Sequence, residues 1–424
     1  MYENKQKDDN LPEEKSDISA QRNDVSCKST GILQKPSGFL SLLERWGTKP
    51  AVQNVETRAR HGVHHRAVEG EIKNMKIASV GSAFPKYYYP QPVLSAALKK
   101  YWDGRLNNPD VVDRMHAHAE IDGRFLALPV DAYYEMTTWG QANDAWIECA
   151  QDLGQQALGQ ALAGVGLTPQ DVDALFVVSV TGVASPSLDA RLVNRMGMSP
   201  RLKRIPIFGL GCVAGAAGIA RAADYVRAFP HHVAALLAVE LCSLTLQKED
   251  VSMANLISSA LFGDGAAAAI VTGAERNHPG AEILDTRSVF YPQTEHIMGW
   301  DISEKGFQIV LSPQLPQLIV DHLGHDVDAF LADHGLARKD IGRWILHTGG
   351  PKILEATGAA LGLSKEEMDA SWQSLRKVGN LSSASVLLVL EEVFKRRRPE
   401  AGTYSLLAAM GPGFCSELVL LRWN

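Results

Sequence analysis

The strongest constraint on the fold of this chain is an internal repeat. Three segments in the first half match three segments of the second half in the same order, two of them 168 residues apart and one 170 residues apart. The pairs are residues 176–182 with 344–350, Gly211-Cys212 with Gly379-Asn380, and residues 236–239 with 406–409. This self-similarity predicts a duplication, with a first half of residues 75–274 and a second half of residues 275–424.

The apolar pattern predicts α/β structure in these halves. Continuous apolar runs at residues 174–180, 233–241 and 266–271 are typical of buried strands. Residues 141–163 have helical periodicity and end at two nearby glycines, which predicts a long helix. Alternating strands and helices indicate layered α/β architecture with two pseudo-symmetric halves.

Cys212 lies where an apolar strand ends in closely spaced glycines and a helical pattern begins. The unpaired N–H groups and the dipole of a helix N-terminus favour a thiolate. The flanking glycines allow a bulky substrate to approach the backbone. We therefore predict that Cys212 is a catalytic nucleophile.

The repeat predicts that two further residues lie near Cys212. Asn380 matches Cys212 at the equivalent helix N-terminus of the second half, and His347 ends the strand that matches the one ending near Ser179. A pseudo-two-fold axis would bring these equivalent elements together at the centre. Cysteine, histidine and asparagine from three loops would supply a nucleophile with a base or an oxyanion donor.

Composition limits the remaining classes of function. A hydrophobic fraction of 46% and a charged fraction of 21% are typical of a soluble globular protein, and the net charge of −6 argues against general nucleic-acid binding. The five cysteines are scattered without CxxC spacing, so neither a disulfide framework nor a zinc site is indicated, and a reducing cytoplasm fits best. No segment has the pattern of a signal peptide or a membrane span.

Residues 1–74 are predicted to be a disordered N-terminal extension and linker. Polar and charged residues dominate up to about residue 35, and such a composition cannot offset the entropy of ordering. The apolar pattern of residues 38–46 predicts one short amphipathic helix. His61, His64 and His65 have no carboxylate or cysteine at metal-binding spacing, which favours a solvated linker over a metal site.

Five motifs in residues 75–424 resemble one family. They are Gly-Cys-Val-Ala-Gly at Cys212, Leu-Phe-Gly-Asp-Gly at Phe262, Trp-Ile-Leu-His-Thr-Gly-Gly-Pro at His347, Lys-Val-Gly-Asn-Leu-Ser-Ser-Ala at Asn380 and Met-Gly-Pro-Gly-Phe at residues 410–414. The family is the type III polyketide synthases, the chalcone- and stilbene-synthase-like enzymes, with the bacterial alkylpyrone and alkylresorcinol synthases among them. The resemblance implies the thiolase fold in a layered αβαβα arrangement, a homodimer, acyl-CoA starters and malonyl-CoA extenders. It implies no cofactor beyond these CoA thioesters.

The resemblance also implies residue roles. Cys212 would carry the starter as a thioester, while His347 would hold Cys212 as a thiolate and, with Asn380, donate hydrogen bonds to thioester and enolate oxygens. Phe262 would be an aromatic gate between a CoA tunnel and the cavity. For the CoA phosphates it implies Arg114, with Arg124 as a second candidate. The residues implied at the gate or the cavity wall are Thr181, Cys242, Trp300, Ile309, Ser382, Gly411, Pro412 and Gly413.

Some positions depart from the plant members of the family. Ile309 aligns with a second gating phenylalanine, Cys242 with a cavity-lining threonine, and Trp300 with a small glycine. His118 and Val111 align with CoA-binding lysines. A less aromatic gate favours an aliphatic starter over a coumaroyl group.

The leading hypothesis is an acyltransferase that extends a thioester on Cys212 with malonyl-CoA and cyclises the chain to an alkylpyrone or alkylresorcinol. A single-condensation enzyme like ketoacyl synthase III would use the same three residues. A Cys-His thioester hydrolase and a non-catalytic acyl-binding scaffold are further alternatives. The glycines at 209, 211 and 215 do not have dinucleotide-binding spacing, and no acidic residue follows at the required distance.

Overall fold

The computed structural model describes residues 75–424, and the predicted extension of residues 1–74 with its helix at 38–46 lies outside them. The strands are β1 Lys76–Ala83, β2 Tyr87–Pro90, β3 Gly123–Leu126, β4 Ala174–Val178, β5 Lys203–Ile207, β6 Val233–Leu241, β7 Asp264–Thr272, β8 Ala281–Phe290, β9 Met298–Ser303, β10 Gly306–Leu311, β11 Ile341–Leu346, β12 Tyr404–Gly411 and β13 Cys415–Trp423. The helices are α1 Gln91–Tyr101, α2 Asp110–His118, α3 Ala132–Glu135, α4 Trp139–Ala163, α5 Leu188–Met196, α6 Ala214–Ala228, α7 Met253–Leu261, α8 Leu315–Ala332, α9 Pro351–Leu361, α10 Asp369–Val378 and α11 Ser385–Arg396.

Nine strands form one sheet in the order β5-β4-β6-β7-β1-β8-β13-β12-β11. The first five come from the first half of the chain and the last four from the second. The halves join where β1 pairs with β8, at Lys76 with Glu282 and Ile77 with Ala281. On either side of this junction β7 matches β13, β6 matches β12 and β4 matches β11. The predicted pseudo-symmetric α/β halves are confirmed, with the pseudo-two-fold axis between β1 and β8.

Three hydrophobic cores lie between the layers of helices and sheet. The central core contains α6, α11 and the inner faces of both half-sheets, while α4 and α5 cover the outer face of the first half and α8, α9 and α10 that of the second. Strand β6 shows the alternation, because Leu236 packs in the central core and Leu237 in the outer one. The layers therefore run helix, sheet, helix, sheet, helix.

The predicted helix at 141–163 is α4, which begins two residues earlier, at Trp139. Thr138 caps its N-terminus by accepting a 3.3 Å hydrogen bond from the backbone N–H of Gln141. None of the helices within residues 75–424 has both the length and the apolar composition that crossing a bilayer requires.

The starts of α6 and α11 are in close contact at the centre. A Cβ on Gly215 of α6 would lie 2.3 Å from the carbonyl oxygen of Ser383, and a Cβ on Gly218 would lie 2.4 Å from Leu236 Cδ1. Real Cβ atoms do not approach other atoms this closely, so a side chain at Gly215 would overlap the backbone and one at Gly218 would displace the Leu236 side chain. Gly215 allows α6 to pack against the second half, and Gly218 allows it to pack closely on β6 of the first half.

The structure corrects the predicted equivalence of Cys212 and Asn380. Gly211–Val213 form a 3₁₀ turn before α6, and Ser382–Ala384 form one before α11, so matched positions are 171 residues apart. Ser383 is therefore the counterpart of Cys212, and Asn380 lies three residues earlier. The matching glycines misled the alignment, because Gly379 terminates α10 with φ 78°, whereas Gly211 belongs to the turn itself.

Glu240, a fully buried carboxylate in β6, links the two halves. Its Oε2 accepts hydrogen bonds from the backbone N–H of Val180 at 3.2 Å and from Thr181 Oγ1 at 2.9 Å. Its Oε1 accepts from the hydroxyl of Ser383, in the second half. Burial raises the pKa of Glu240 to about 7, although the hydrogen bonds from Ser383, Val180 and Thr181 lower it.

The raised pKa of Glu240 predicts a specific pH dependence of stability. Below about pH 4.3 the carboxyl is protonated in both the folded and the unfolded chain. Between that pH and the folded pKa of about 7, the unfolded chain is ionised while the folded chain keeps a neutral buried carboxyl, so stability falls as pH rises through this range. Glu240→Gln removes this titration, since its amide can donate to Ser383 and its oxygen can accept from Val180 and Thr181. The free energy of unfolding of the variant should therefore rise by about 3 kcal/mol relative to that of wild type from pH 5 to pH 8.

Denaturant unfolding of both proteins across that range measures the difference. Glu249→Gln is the matched control, because Glu249 is exposed and Lys305 holds its pKa below the usual range. Its difference from wild type should stay constant between pH 5 and pH 8. A constant difference for Glu240→Gln as well would contradict the prediction.

Candidate active site

Cys212 lies in the buried 3₁₀ turn between β5 and α6, as the strand–turn–helix prediction requires. Gly209 and Gly211 precede it with φ of 96° and 55°, values that residues other than glycine rarely adopt. The Cys212 Sγ lies 3.7 Å from the Oγ of Ser382, at the start of the facing turn. The thiol is thus held between the two helix starts.

Asn380 has a fixed amide orientation. Its Oδ1 accepts hydrogen bonds from the backbone N–H of Ser382 at 2.8 Å and from Ser385 Oγ at 3.2 Å. A backbone N–H can only donate, so it must face the amide oxygen. The NH₂ group of Asn380 is therefore left to donate to another acceptor.

His347 follows the last residue of β11 and is buried. Its backbone N–H donates to the carbonyl of Ala408 on β12 at 3.0 Å, which fixes the residue at the end of the strand. Within residues 75–424 its Nδ1 has no hydrogen-bond partner. The imidazole is therefore held by packing rather than by a carboxylate.

One cavity of about 490 Å³ brings four of the predicted site residues together: Cys212, Phe262, His347 and Asn380. Most of its wall is apolar. The apolar residues of the wall come from α7, α8 and the β9–β10 hairpin: Met253, Ile257, Met298, Leu311, Ile319 and Leu323. A concave apolar site with a few converging polar groups is the usual form of a substrate pocket.

Burial shifts both titratable groups of this cavity toward their neutral forms. It raises the pKa of the Cys212 thiol to about 12, while the hydrogen bond with Ser382 lowers that pKa and the nearby Glu240 raises it. It also lowers the pKa of His347 to about 4. Burial therefore opposes the thiolate expected at Cys212, and the stabilisation of that thiolate by His347 stays a prediction.

Phe262 lies at the end of α7 and lines two cavities. The second, of about 70 Å³, also contains Cys242, Trp300 and Arg124 in its wall. The backbone of Phe262 forms a bridge with Asn380. Phe262 therefore separates the cavity that contains Cys212 from the cavity that contains Cys242.

The β9–β10 hairpin covers both cavities. Met298 and Leu311, a directly paired couple, line the larger cavity, and Trp300 lines the smaller one. Ile309 pairs directly with Trp300 and so shares its face of the hairpin, although it is not part of the lining of either cavity. Its predicted place at the gate stays a prediction. Sequence analysis missed Phe307, whose ring lies 5.9 Å from that of Trp300 and supports it from the same hairpin.

Of the predicted wall residues 411–413, Gly411 and Pro412 pack on the nucleophile turn, and none of the three is in the lining of either cavity. A Cβ on Gly211 would lie 2.7 Å from Pro412 Cδ, and a Cβ on Gly411 would lie 2.6 Å from the backbone nitrogen of Val213. Gly413 has a φ of 68°. The neighbouring residues Met410 and Phe414 line the larger cavity. The Gly-Pro-Gly segment therefore supports the turn that carries Cys212.

Two of the predicted site residues have other contacts than expected. Thr181 was expected at the cavity, but its hydroxyl bonds Glu240 and accepts from the backbone of Leu241 at 3.0 Å, so it lies in the buried network. Arg124 was expected near CoA phosphates, but it is only 3% exposed and donates to the Phe262 carbonyl. A buried guanidinium held by the backbone is not a surface cation.

The cavity mouth contains other cationic groups. Arg114 is exposed on α2, and its neighbours Met115 and His118 line the larger cavity. Lys352 lines the same cavity from the start of α9. Sequence analysis missed Lys352, although it directly follows the Gly-Gly-Pro of the His347 motif. Glu240 was missed as well, and the only carboxylate in the apolar run of residues 233–241 was its signal.

Comparison with known proteins adds a family to this geometry. Models of the N-terminal and C-terminal domains of chalcone and stilbene synthases match residues 114–275 and 282–423, respectively. A 1,3,6,8-tetrahydroxynaphthalene synthase of Streptomyces peucetius subsp. caesius is 47% identical over 88% of this chain and 99% of its own length. A putative chalcone synthase of Bacillus subtilis (strain 168) is 35% identical over 82% of this chain and 98% of its own length.

The fold has solved counterparts. The crystal structure of 1,3,6,8-tetrahydroxynaphthalene synthase from Streptomyces coelicolor A3(2), described as a bacterial type III polyketide synthase, superposes with a TM-score of 0.78. It is 29% identical and covers 82% of this chain and 99% of that structure.

Proposed function

Because the chain belongs to the chalcone and stilbene synthase family and is a type III polyketide synthase, a condensing acyltransferase with the thiolase fold, we propose that its chemistry occurs at Cys212, His347 and Asn380. The observation that carries the proposal is that these three side chains, from three separate loops, line one cavity. Acyl-CoA and malonyl-CoA are the substrates of such enzymes.

In the loading step, the Cys212 sulfur attacks the carbonyl carbon of the starter thioester. The neutral imidazole of His347 accepts the thiol proton as the new S–C bond forms. The bond to the CoA sulfur then breaks, and that sulfur takes the proton from His347. The starter is left as a thioester on Cys212, and CoA leaves as a free thiol.

In the extension step, malonyl-CoA loses CO₂, and the electron pair of the broken C–C bond forms the enolate of acetyl-CoA. Negative charge develops on the thioester oxygen, where the free NH₂ of Asn380 and an N–H of His347 donate hydrogen bonds. The enolate carbon attacks the carbonyl carbon of the Cys212 thioester, a new C–C bond forms, the C–S bond breaks, and Cys212 leaves as a thiolate that takes up a proton. The extended chain is now attached to CoA and can be loaded again.

Phe262 is proposed as the gate between substrate entry and chain growth. It lies in the walls of both cavities, one with Cys212 and one with Cys242 and Trp300. An apolar ring beside the malonyl carboxylate disfavours the charged group and so favours its loss as CO₂. The CoA phosphates would bind at the mouth, near Arg114, His118 and Lys352.

For the product, we propose a polyhydroxylated aromatic, the class to which the tetrahydroxynaphthalene named for the 47% identical relative belongs, and we propose that it is built from short starters. The cavity behind Phe262 supports this class. Its volume of about 70 Å³ is well below the ~300–1,000 Å³ of common ligand pockets, so it has room for a short segment of a growing chain and not for a long alkyl tail. Its wall also has polar groups that suit a chain rich in carbonyl oxygens, including Arg124, Tyr133 and Ser243.

The alkylpyrone or alkylresorcinol product remains the second candidate. The observation in its favour is the apolar wall of the larger cavity around Cys212, where an aliphatic starter could pack. The two candidates differ in where the acyl chain lies: beside Cys212 or behind Phe262.

A panel of starters tests the product class. Purified protein is given malonyl-CoA alone, or with acetyl-, hexanoyl- or dodecanoyl-CoA, and the products are identified by mass spectrometry. We expect cyclised aromatic polyols from malonyl-CoA alone, and little incorporation of the dodecanoyl chain. Trp300→Ala enlarges the smaller cavity and should increase incorporation of the longer starters.

Other outcomes of the panel have clear meanings. Cyclised products that mainly retain the dodecanoyl chain would replace the proposed product with an alkylpyrone or alkylresorcinol. A single ketoacyl thioester would indicate one condensation only, and a free fatty acid would indicate hydrolysis. Either of these would overturn the polyketide product.

Separate variants test the proposed steps. Cys212→Ala should form no acyl adduct and no extended product. Asn380→Ala should still be acylated, but malonyl-CoA decarboxylation should fall about 100-fold, because a donor to the enolate oxygen is lost. Intact-protein mass spectrometry measures acylation, and CO₂ release measures decarboxylation. Cys149→Ala, a half-buried thiol that lines neither cavity, is the control. An adduct located on Cys242 would contradict the assignment of the nucleophile.

We also propose that the enzyme is a homodimer. Strand β5 is at the edge of the sheet, and Val183 and Phe208 nearby are 39% and 49% exposed. An unpaired edge beside exposed apolar side chains is suited to a second copy of the chain. Light scattering should give twice the mass of one chain, and Phe208→Asp should shift the protein toward one chain. A wild-type mass of one chain would exclude the dimer.

A further inference from the structure

Arg124 on β3 is a buried cation without a carboxylate partner. It is 3% exposed, and between residues 75 and 424 no carboxylate forms an ion pair with its guanidinium. Nearby Asp264 acts on it only at longer range, because its oxygens accept hydrogen bonds from the backbone N–H groups of Ala127 and Ser243. A buried charge of this kind is costly to maintain, so its contacts identify what it supports.

The guanidinium holds the segment that carries Phe262. Arg124 Nη1 donates to the carbonyl oxygen of Phe262 at 2.7 Å, and Nε donates to Gln91 Oε1 at 3.2 Å. The Gln91 Nε2 in turn donates to the carbonyl of Ala260 at 2.9 Å. Arg124 and Gln91 thus take two carbonyl groups at the end of α7, where unpaired carbonyls need partners.

The same segment is bonded to Asn380 through the backbone. The Asn380 N–H donates to the Leu261 carbonyl at 2.9 Å, and the Gly263 N–H donates to the Asn380 carbonyl at 3.0 Å. The Arg124 side chain fills the space beneath this pair, because a Cβ on Gly379 would lie 3.1 Å from Arg124 Cδ. Arg124 therefore contacts both the Phe262 segment and the Asn380 segment.

We propose that Arg124 is a positioning residue that sets the place of Phe262 relative to Asn380, and so controls malonyl-CoA decarboxylation separately from starter loading. This inference rests on the proposed function of Phe262 and Asn380. Decarboxylation needs the aromatic ring at the malonyl carboxylate and the amide at the thioester oxygen at the same time. Loading uses Cys212 and His347, and Arg124 contacts neither of their segments.

The variants Arg124→Gln, Arg124→Lys and Gln91→Met test the proposal. In Arg124→Gln, the rate of Cys212 acylation should stay within about twofold of wild type, while decarboxylation should fall at least about tenfold, because the charge-assisted bond to the Phe262 carbonyl is lost. Arg124→Lys should recover part of the rate, since an ammonium can still donate to that carbonyl. Gln91→Met leaves the charge of Arg124 in place and keeps the side-chain length at position 91. It should lower the decarboxylation rate in the same way, but by less.

Arg338→Gln is the control, because Arg338 likewise donates to backbone carbonyls, those of Gly324 and Ala360, but lies on the outer layer of the second half, where it pairs with Asp328. It should leave the ratio of decarboxylation to acylation unchanged. A wild-type ratio in both Arg124→Gln and Gln91→Met would overturn the inference. So would a fall of both rates in proportion to a lower melting temperature, which would make Arg124 merely structural. If the wild-type protein itself released no CO₂ from malonyl-CoA, the proposed function would fail first.

Discussion

The active site depends on the contact between the starts of α6 and α11. Gly215 allows this contact, because any side chain there would overlap the Ser383 carbonyl at 2.3 Å. The contact places the Cys212 turn against the Ser382 turn and brings Asn380 to the same cavity. Gly211 and Gly411 extend it by close packing of the nucleophile turn on the Gly-Pro-Gly segment. One dense interface between the halves therefore positions residues from several loops.

That dense interface also sets the electrostatics of the site. Burial raises the pKa of Cys212 and of Glu240, and it lowers the pKa of His347, so each group favours its neutral form. Burial therefore favours an uncharged Cys212 and an uncharged His347 in the resting site. Charge then develops only when a thioester is bound, where the Asn380 amide is already oriented by Ser382 and Ser385. Preorganised donors of this kind cost no rearrangement at the moment of reaction.

Sequence patterns predicted the duplication, the strand–turn–helix at Cys212 and the convergence of His347 and Asn380, because these depend on local periodicity and on symmetry. They failed where contacts distant in sequence decide. Gly379 resembles Gly211 in sequence, but its place at the end of α10 makes it a helix terminator, and the alignment moved by three residues. The burial of Arg124 depends on Gln91 and on the Phe262 carbonyl, 33 and 138 residues away. No local pattern reports such partners.

The β9–β10 hairpin has no strand counterpart in the nine-stranded sheet, yet it contributes wall to both cavities through Met298, Trp300 and Leu311. The catalytic side chains all come from other elements. Mutations in this hairpin can therefore change the size and shape of the pockets while the helix interface and its hydrogen bonds stay intact. Natural variation and protein engineering can therefore alter the product through the same few residues of this hairpin.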